Sequence, residues 1–186
     1  MFIIIDTETT GFDPFSNALI SVGMVLKPDL RDDYIATKME FKMNAGTYAI
    51  EPSALKHNKL TVEEIALWPD RKKTTETMVK AIESWGLACN KMIPVGHNYL
   101  FDRQFLLQVF SKDFYEGYFD YHYQDTMNVA NFLNLIKPGF SRGVSLQALR
   151  DKYKITHEGA HTALADALAT AEVMKGLLND VEIRNS

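Results

Sequence analysis

Two kinds of hydrophobic run alternate along the chain. Before residue 45 they are short and β-branched. Phe2 to Ile5 form an unbroken apolar run that reads as a buried strand. Residues 18–26 ("ALISVGMVL") predict a second strand, and residues 34–43 ("YIATKMEFKM"), which partly alternate, a third. The turn formers of "KPDLRDD" separate those two, and short links between three strands predict an antiparallel start to the sheet. The period then changes. "EPSALKHN" and "TVEEIALW" read as short helical pieces, and Met78, Ile82 and Trp85 recur at helical spacing in a helix over 71–88 that Asp70 caps. Residues 92–95 ("MIPV") predict a short buried strand, 99–112 an amphipathic helix and 119–123 ("FDYHY") a fifth strand. Asp125 is placed to cap a helix over 126–136, which "KPG" stops. "SLQALRDKY" and the Ala- and Leu-rich stretch 162–178 complete the helices. A meander followed by alternating helices and strands predicts an α/β fold with a mixed sheet. No linker divides the chain, so residues 1–180 read as one domain and 181–186 as a polar tail.

The first strand ends abnormally, in Asp6, Thr7 and Glu8. Side chains along a strand alternate faces, so Asp6 and Glu8 share one side. Adjacent carboxylates raise each other's cost of ionisation. Either solvent relieves that cost, with Thr9, Thr10 and Gly11 making a turn, or a divalent metal does.

Composition narrows the setting more than the chemistry. The 20 basic and 24 acidic side chains leave a formal charge of −4, so charge alone does not grip a duplex. Cys89 is the one cysteine, which excludes an intrachain disulfide and a cysteine zinc site and fits a reducing cytoplasm. The opening apolar run is too short and lacks the basic flank of a signal peptide, and no stretch has the apolar length of a membrane span.

Further acids stand where the first pair can use them. In open α/β folds ligands gather at the carboxyl ends of strands. The strand at 92–95 ends in "GHNYLFD", which places His97 and Asn98 after it and Asp102 in the first helical turn. Asp102 either reaches the Asp6 and Glu8 pair or simply favours a helix N-terminus. Asp166 lies inside an apolar helix, on a narrow polar stripe or held inward against something positive. His161 precedes it by five residues, a rotation of about 140° in a straight helix, and joins its side only from a preceding loop. Jointly, Asp6, Glu8, Asp102 and Asp166 form an oxygen-only donor set that suits Mg²⁺ or Mn²⁺. Two such ions about 3.5–4 Å apart serve phosphodiester hydrolysis, and His161 is the candidate base for the attacking water.

At these residues the chain resembles the DEDDh exonucleases, the DnaQ-like 3′–5′ exonucleases of the ribonuclease H-like superfamily. The matching segments are "IIIDTETTGF", "GHNYLFDRQFL" and "HTALADALATAEV", in that order, with "QDTMNVA" and "SLQALRDKYKI" before the last. The resemblance implies a ribonuclease H-like, five-stranded mixed sheet with helices on both faces. It implies two Mg²⁺ or Mn²⁺ ions on Asp6, Glu8, Asp102 and Asp166, with His161 as general base. It also implies removal of nucleoside 5′-monophosphates from the 3′ ends of single-stranded DNA or RNA. Phe12 and Phe101 match positions that hold terminal bases, His57 a third contact, and Thr9 and Asn98 supply hydrogen bonds. Core packing is the other reading of the Phe pair. Lys59 stands where many relatives have glycine.

Two other functions fit the same segments: a catalytically silent nucleic-acid-binding accessory subunit, and a phosphodiesterase of small oligonucleotides. Whether a polymerase or a second copy of the chain is a partner is left open by the sequence.

Overall fold

The structure is a computed structural model and describes residues 1–85, 91–156 and 162–182. A five-stranded mixed sheet runs in the order β3-β2-β1-β4-β5. Its strands are β1 (Phe2–Thr9), β2 (Leu19–Lys27), β3 (Thr37–Lys42), β4 (Ile93–Gly96) and β5 (Gln124–Asp125). β2 is antiparallel to β1 and to β3, whereas β4 and β5 run parallel to β1. The meander is as expected, and the switch to parallel pairing follows from the crossover helices before β4 and β5.

Helices cover both faces, as the resemblance implied. On one side α3 (Arg71–Ser84), α4 (Tyr99–Leu106) and α5 (Lys112–Tyr118) supply Met78, Ile82, Phe105, Leu106 and Tyr115 to a core with Ile3 and Ile5. On the other, α8 (Ala163–Glu182) lays Ala167, Ala171 and Met174 against Ile4, Val25 and Val95. α6 (Thr126–Ile136) and α7 (Leu146–Tyr153) pack behind α8 through Leu133, Leu149, Val173 and Leu177. The short helices α1 (Pro52–Asn58) and α2 (Val62–Ala66) lie between β3 and α3 in the chain. The side chains of Ile3, Ile4 and Ile5 are fully buried, because helices flank β1 on both faces.

The structure corrects two elements. The helix expected over 99–112 ends at Leu106, and a separate helix starts after Ser111, whose hydroxyl accepts from the Phe114 amide at 3.2 Å. Residues 119–123 are not a strand. Phe119 makes only an isolated bridge to Met92, and the Asp120 carboxylate accepts from the His122 amide at 2.8 Å, turning the chain. The fifth strand follows at Gln124–Asp125. Helix α3 stops at Ser84, and α8 runs to Glu182. Cys89 and residues 183–186 of the polar tail lie outside the described residues.

One close approach sets the seat of α8. A Cβ added to Gly23 on β2 meets the Ala163 carbonyl oxygen at 2.2 Å, so only glycine lets the start of α8 lie against the sheet. Gly23→Ala is therefore expected to lower stability by about 1–3 kcal/mol, with α8 displaced at its N-terminal end. Guanidinium denaturation measures the loss, and wild-type stability in this variant contradicts the packing described.

Candidate active site

The carboxyl end of β1 is where the alternation of the strand becomes chemistry. Ile4 faces α8, so Asp6 and Glu8, two and four residues on, face it too. Asp166 in the first turn of α8 meets them: one carboxylate oxygen from each of Asp6, Glu8 and Asp166 lies within 4.8 Å of the others. Thr7 points the opposite way, toward α4, and its hydroxyl donates to Asp102 Oδ1 at 2.7 Å. Asp102 lines the same cavity of about 400 Å³ as the other three acids, but its carboxylate is turned to Thr7 and lies outside the trio.

The start of α4 is fixed by a residue the sequence analysis assigned to another helix. The Asp125 carboxylate caps α6 by accepting from Met127 and Asn128 amides at 2.9 and 3.3 Å. It also accepts from the Asn98 and Tyr99 amides at 3.2 and 2.9 Å. Asp125 pairs in register with Gly96, so one buried carboxylate holds the beginnings of both helices and sets the height of Asp102.

Asp166 is held inward against a cation, one of the two alternatives its sequence context left open. Arg150 Nη1 on α7 donates to Asp166 Oδ1 at 3.1 Å, and both side chains are largely buried. Arg150 Nε is buried without a hydrogen-bond partner. Composition and spacing did not single out this pair, because it depends on how α7 packs against α8.

The electrostatics are those of a cluster with too much negative charge. Burial, then the neighbouring carboxylates of Asp102, Glu8 and Asp166, hold Asp6 well above the usual carboxyl range. Burial first, then Asp166, Glu40 and Asp102, push Glu8 up to about 8. Burial raises Asp102 to about 7 against the opposing pull of the Thr7 hydrogen bond. An all-oxygen donor set at such a cost in ionisation suits a hard divalent cation, so the residues present fit one.

The substrate-side residues divide. Thr9, Phe12, His57 and Phe101 line the cavity with the acids, whereas Asn98 begins α4 at φ 66° and is not part of the lining. Phe12 is 72% exposed, and its ring centroid lies 6.2 Å from that of Phe101. Phe101 also packs on Phe105 at 5.0 Å, so it belongs both to the core and to the cavity wall. The Thr9 hydroxyl donates to the Gly11 carbonyl at 2.7 Å. Lys59, at the position where many members of the resembled family have glycine, takes the left-handed conformation glycine favours, at φ 56°, and ends α1 directly after His57 and Asn58. His97 also lines the cavity, with Nδ1 2.8 Å from Thr126 Oγ1, and burial lowers its pKa. His161 lies outside the described residues.

The chain is similar in sequence and in fold to known nucleases. Residues 3–174 match the family model RNase_T, described as exonuclease. Ribonuclease T of Wigglesworthia glossinidia brevipalpis is 27% identical over 190 residues, covering 95% of this chain and 84% of that protein. The chloroplastic/mitochondrial exonuclease DPD1 of Arabidopsis thaliana is 26% identical over 187 residues, covering 97% and 57%. Among solved structures, E. coli exonuclease I in complex with a dT13 oligonucleotide superposes with a TM-score of 0.80 at 18% identity, over 99% of this chain and 42% of that one. Exonuclease X in complex with 5′-overhanging duplex DNA gives 0.63 at 21% identity, over 97% and 92%. The chain thus spans about two fifths of the exonuclease I chains, and the likeness is one of ribonuclease H-like fold.

Two outcomes are expected for the metal-free protein. The Asp6, Glu8 and Asp102 carboxyls are raised in the fold above their unfolded value of about 4. The folded state then binds more protons, so stability falls as pH rises from about 4 through about 8, the Glu8 value. Denaturation in EDTA across this range measures it, and added Mg²⁺ should flatten the profile; a rise with pH in EDTA contradicts the cluster. Arg150→Met keeps most of the side-chain volume but strips Asp166 of this cation. It should cost about 3 kcal/mol in EDTA at neutral pH and less with Mg²⁺.

Proposed function

Because the chain belongs to the RNase_T exonuclease family, we propose that it is a metal-dependent 3′–5′ exonuclease of the DEDDh type acting on single-stranded nucleic acid. The convergence of Asp6, Glu8 and Asp166, with Asp102 in the same cavity, carries this reading. Ribonuclease T as a relative and exonuclease I seen with a dT13 oligonucleotide support a single-stranded substrate.

The roles follow from position. Asp6, Glu8, Asp102 and Asp166 would hold two Mg²⁺ or Mn²⁺ ions. When bound, such ions acidify a water and stabilise the leaving oxygen of a phosphodiester. The exposed face of Phe12, with Phe101 beside it, stacks on the terminal base, and stacking is tolerant of sequence. His57 and Thr9 border the same nucleotide, and Asn98 stands at the adjoining start of α4. His161, five residues before Asp166 in the H-x₄-D segment, takes the proton of the attacking water. Water adds to the terminal phosphorus, the 3′-oxygen of the penultimate nucleotide leaves, and a nucleoside 5′-monophosphate is released.

A 5′-labelled strand of DNA or RNA should yield a descending ladder with Mg²⁺ or Mn²⁺ and none with EDTA, and a 3′-phosphate should slow it. Asp6→Asn should abolish the ladder. His161→Asn should keep metal binding and lose roughly two to four orders of magnitude in turnover. Immediate release of a labelled 5′ mononucleotide from a long strand, or full activity in EDTA, sinks the proposal. Cleavage of dinucleotides but not of long strands would favour a small-oligonucleotide phosphodiesterase.

A further inference from the structure

The rim that carries the acids holds a second pocket of opposite character. β1 and β3 are both antiparallel to β2, so their carboxyl ends lie at one rim of the sheet. The loop leaving β1 borders the acidic cavity with Gly11 and Phe12, and its next residues, Pro14 to Ala18, border the second pocket, also of about 400 Å³. The segment after β3 supplies Thr47 and Tyr48, and the start of α3 supplies Arg71. No Asp or Glu lines it, in contrast to the four acids next door.

Arg71 is the central observation. Its guanidinium is half-buried and donates from Nη2 to the Gln108 carbonyl at 2.5 Å. Burial lowers its pKa, and among the described residues no carboxylate pairs with it. A partly desolvated guanidinium without a counter-ion, facing an open polar pocket, is built to receive an anion in a fork of donors. Beside it Phe15 is 97% exposed and has no packing role. The loop presenting Phe15 is nonetheless rigid. The Gln108 amide donates to the Pro14 and Asn17 carbonyls at 2.7 and 2.9 Å, and its oxygen accepts from the Leu19 amide at 3.2 Å. Asp13 accepts from the Phe15 amide and the Ser16 hydroxyl at 3.0 and 2.9 Å. An apolar ring held in water on an ordered loop, next to an unpaired cation, matches the phosphate and the base of one nucleotide.

Resting on the exonuclease reading above, we propose that this pocket is an upstream subsite: Arg71 binds one backbone phosphate of the single strand and Phe15 stacks on the adjoining base. Phe12 and Phe15 are three residues apart, a reach of about 10 Å at most. At a stacked rise of about 3.4 Å per nucleotide, the phosphate concerned lies roughly two to four nucleotides from the 3′ end.

The test uses strands of about six nucleotides, each with one backbone phosphate replaced by a neutral methylphosphonate at a different position. Binding to the full chain is read by fluorescence anisotropy with Ca²⁺ in place of Mg²⁺. The wild type should lose about tenfold in affinity when the neutral group sits at the subsite position. Arg71→Met, checked by thermal melting, should bind the unmodified strand about tenfold more weakly and ignore that replacement. Phe15→Ala, whose ring supports nothing in the fold, should also weaken binding about tenfold and decides the matter should Arg71→Met fail to fold. A flat profile in the wild type, an unchanged profile in Arg71→Met or wild-type affinity in Phe15→Ala overturns the subsite. Cleavage plays no part in this readout. A protein with the predicted profile that releases no mononucleotide in Mg²⁺ keeps the subsite and loses the exonuclease reading, and the converse holds as well.

Discussion

Everything near the site hangs on the two-residue period of β1. Its odd positions, Ile3 and Ile5, enter the core under α3 to α5, and its even position Ile4 enters the core under α8. The same parity carries on past the apolar stretch, so Asp6 and Glu8 must face whatever α8 brings and Thr7 must face α4. A slip of one residue in the β1 register would exchange these sides and bury the wrong set. The core and the acid cluster are therefore specified by one pattern, and neither can be altered independently of the other. The supporting features serve it: Gly23 lets α8 come close enough, and Asp125 ties the starts of α4 and α6 to the sheet by two hydrogen bonds each.

Such a cluster opposes folding. Four carboxylates line one cavity, and burial is the first cause of the raised pKa at Asp6, Glu8 and Asp102. The chain offsets part of this with Arg150 on Asp166 and with the Thr7 hydroxyl on Asp102. Arginine is the suited cation there: it stays charged when buried and its planar fork fits a carboxylate. One guanidinium does not balance four acids, and a hard divalent cation would complete the balance while using the same oxygens. The geometry that makes the cluster costly without a cation is the geometry that fits one.

How much of this was legible in the sequence depends on how local each cause is. β1 and the acids at its end were legible because strand parity needs only neighbouring residues. α8 was legible from its composition, and Asp125 as a cap of α6 from its place before an apolar run. Its second role, at the start of α4, was not, because that depends on the parallel pairing of Gly96 with Asp125. The strand read at 119–123 failed for a local reason: Asp120 turns the chain at His122, and an aromatic-rich run outweighed that turn signal. The break after Leu106 is partly tertiary, since the Gln108 side chain bonds the β1–β2 loop nearly a hundred residues away in sequence. The role of Arg150 was not legible, because only the packing of α7 on α8 turns it inward.

Gln108 also explains why two pockets of opposite charge coexist on one rim. It follows directly on α4, the helix that bears Asp102, and it clamps the loop that bears Phe12 and Phe15. Its backbone carbonyl holds Arg71 as well. The acid, both loop rings and the second-pocket cation are thus referred to a single segment of chain. Loops that carry function are ordinarily more mobile than the elements they join. Here the loop is bonded to the segment that follows the helix of Asp102, so the separation between the two pockets is set by the fold and not by a hinge. A fixed separation suits a substrate of regular repeat, because one chain of evenly spaced phosphates and bases can meet both pockets without either one moving.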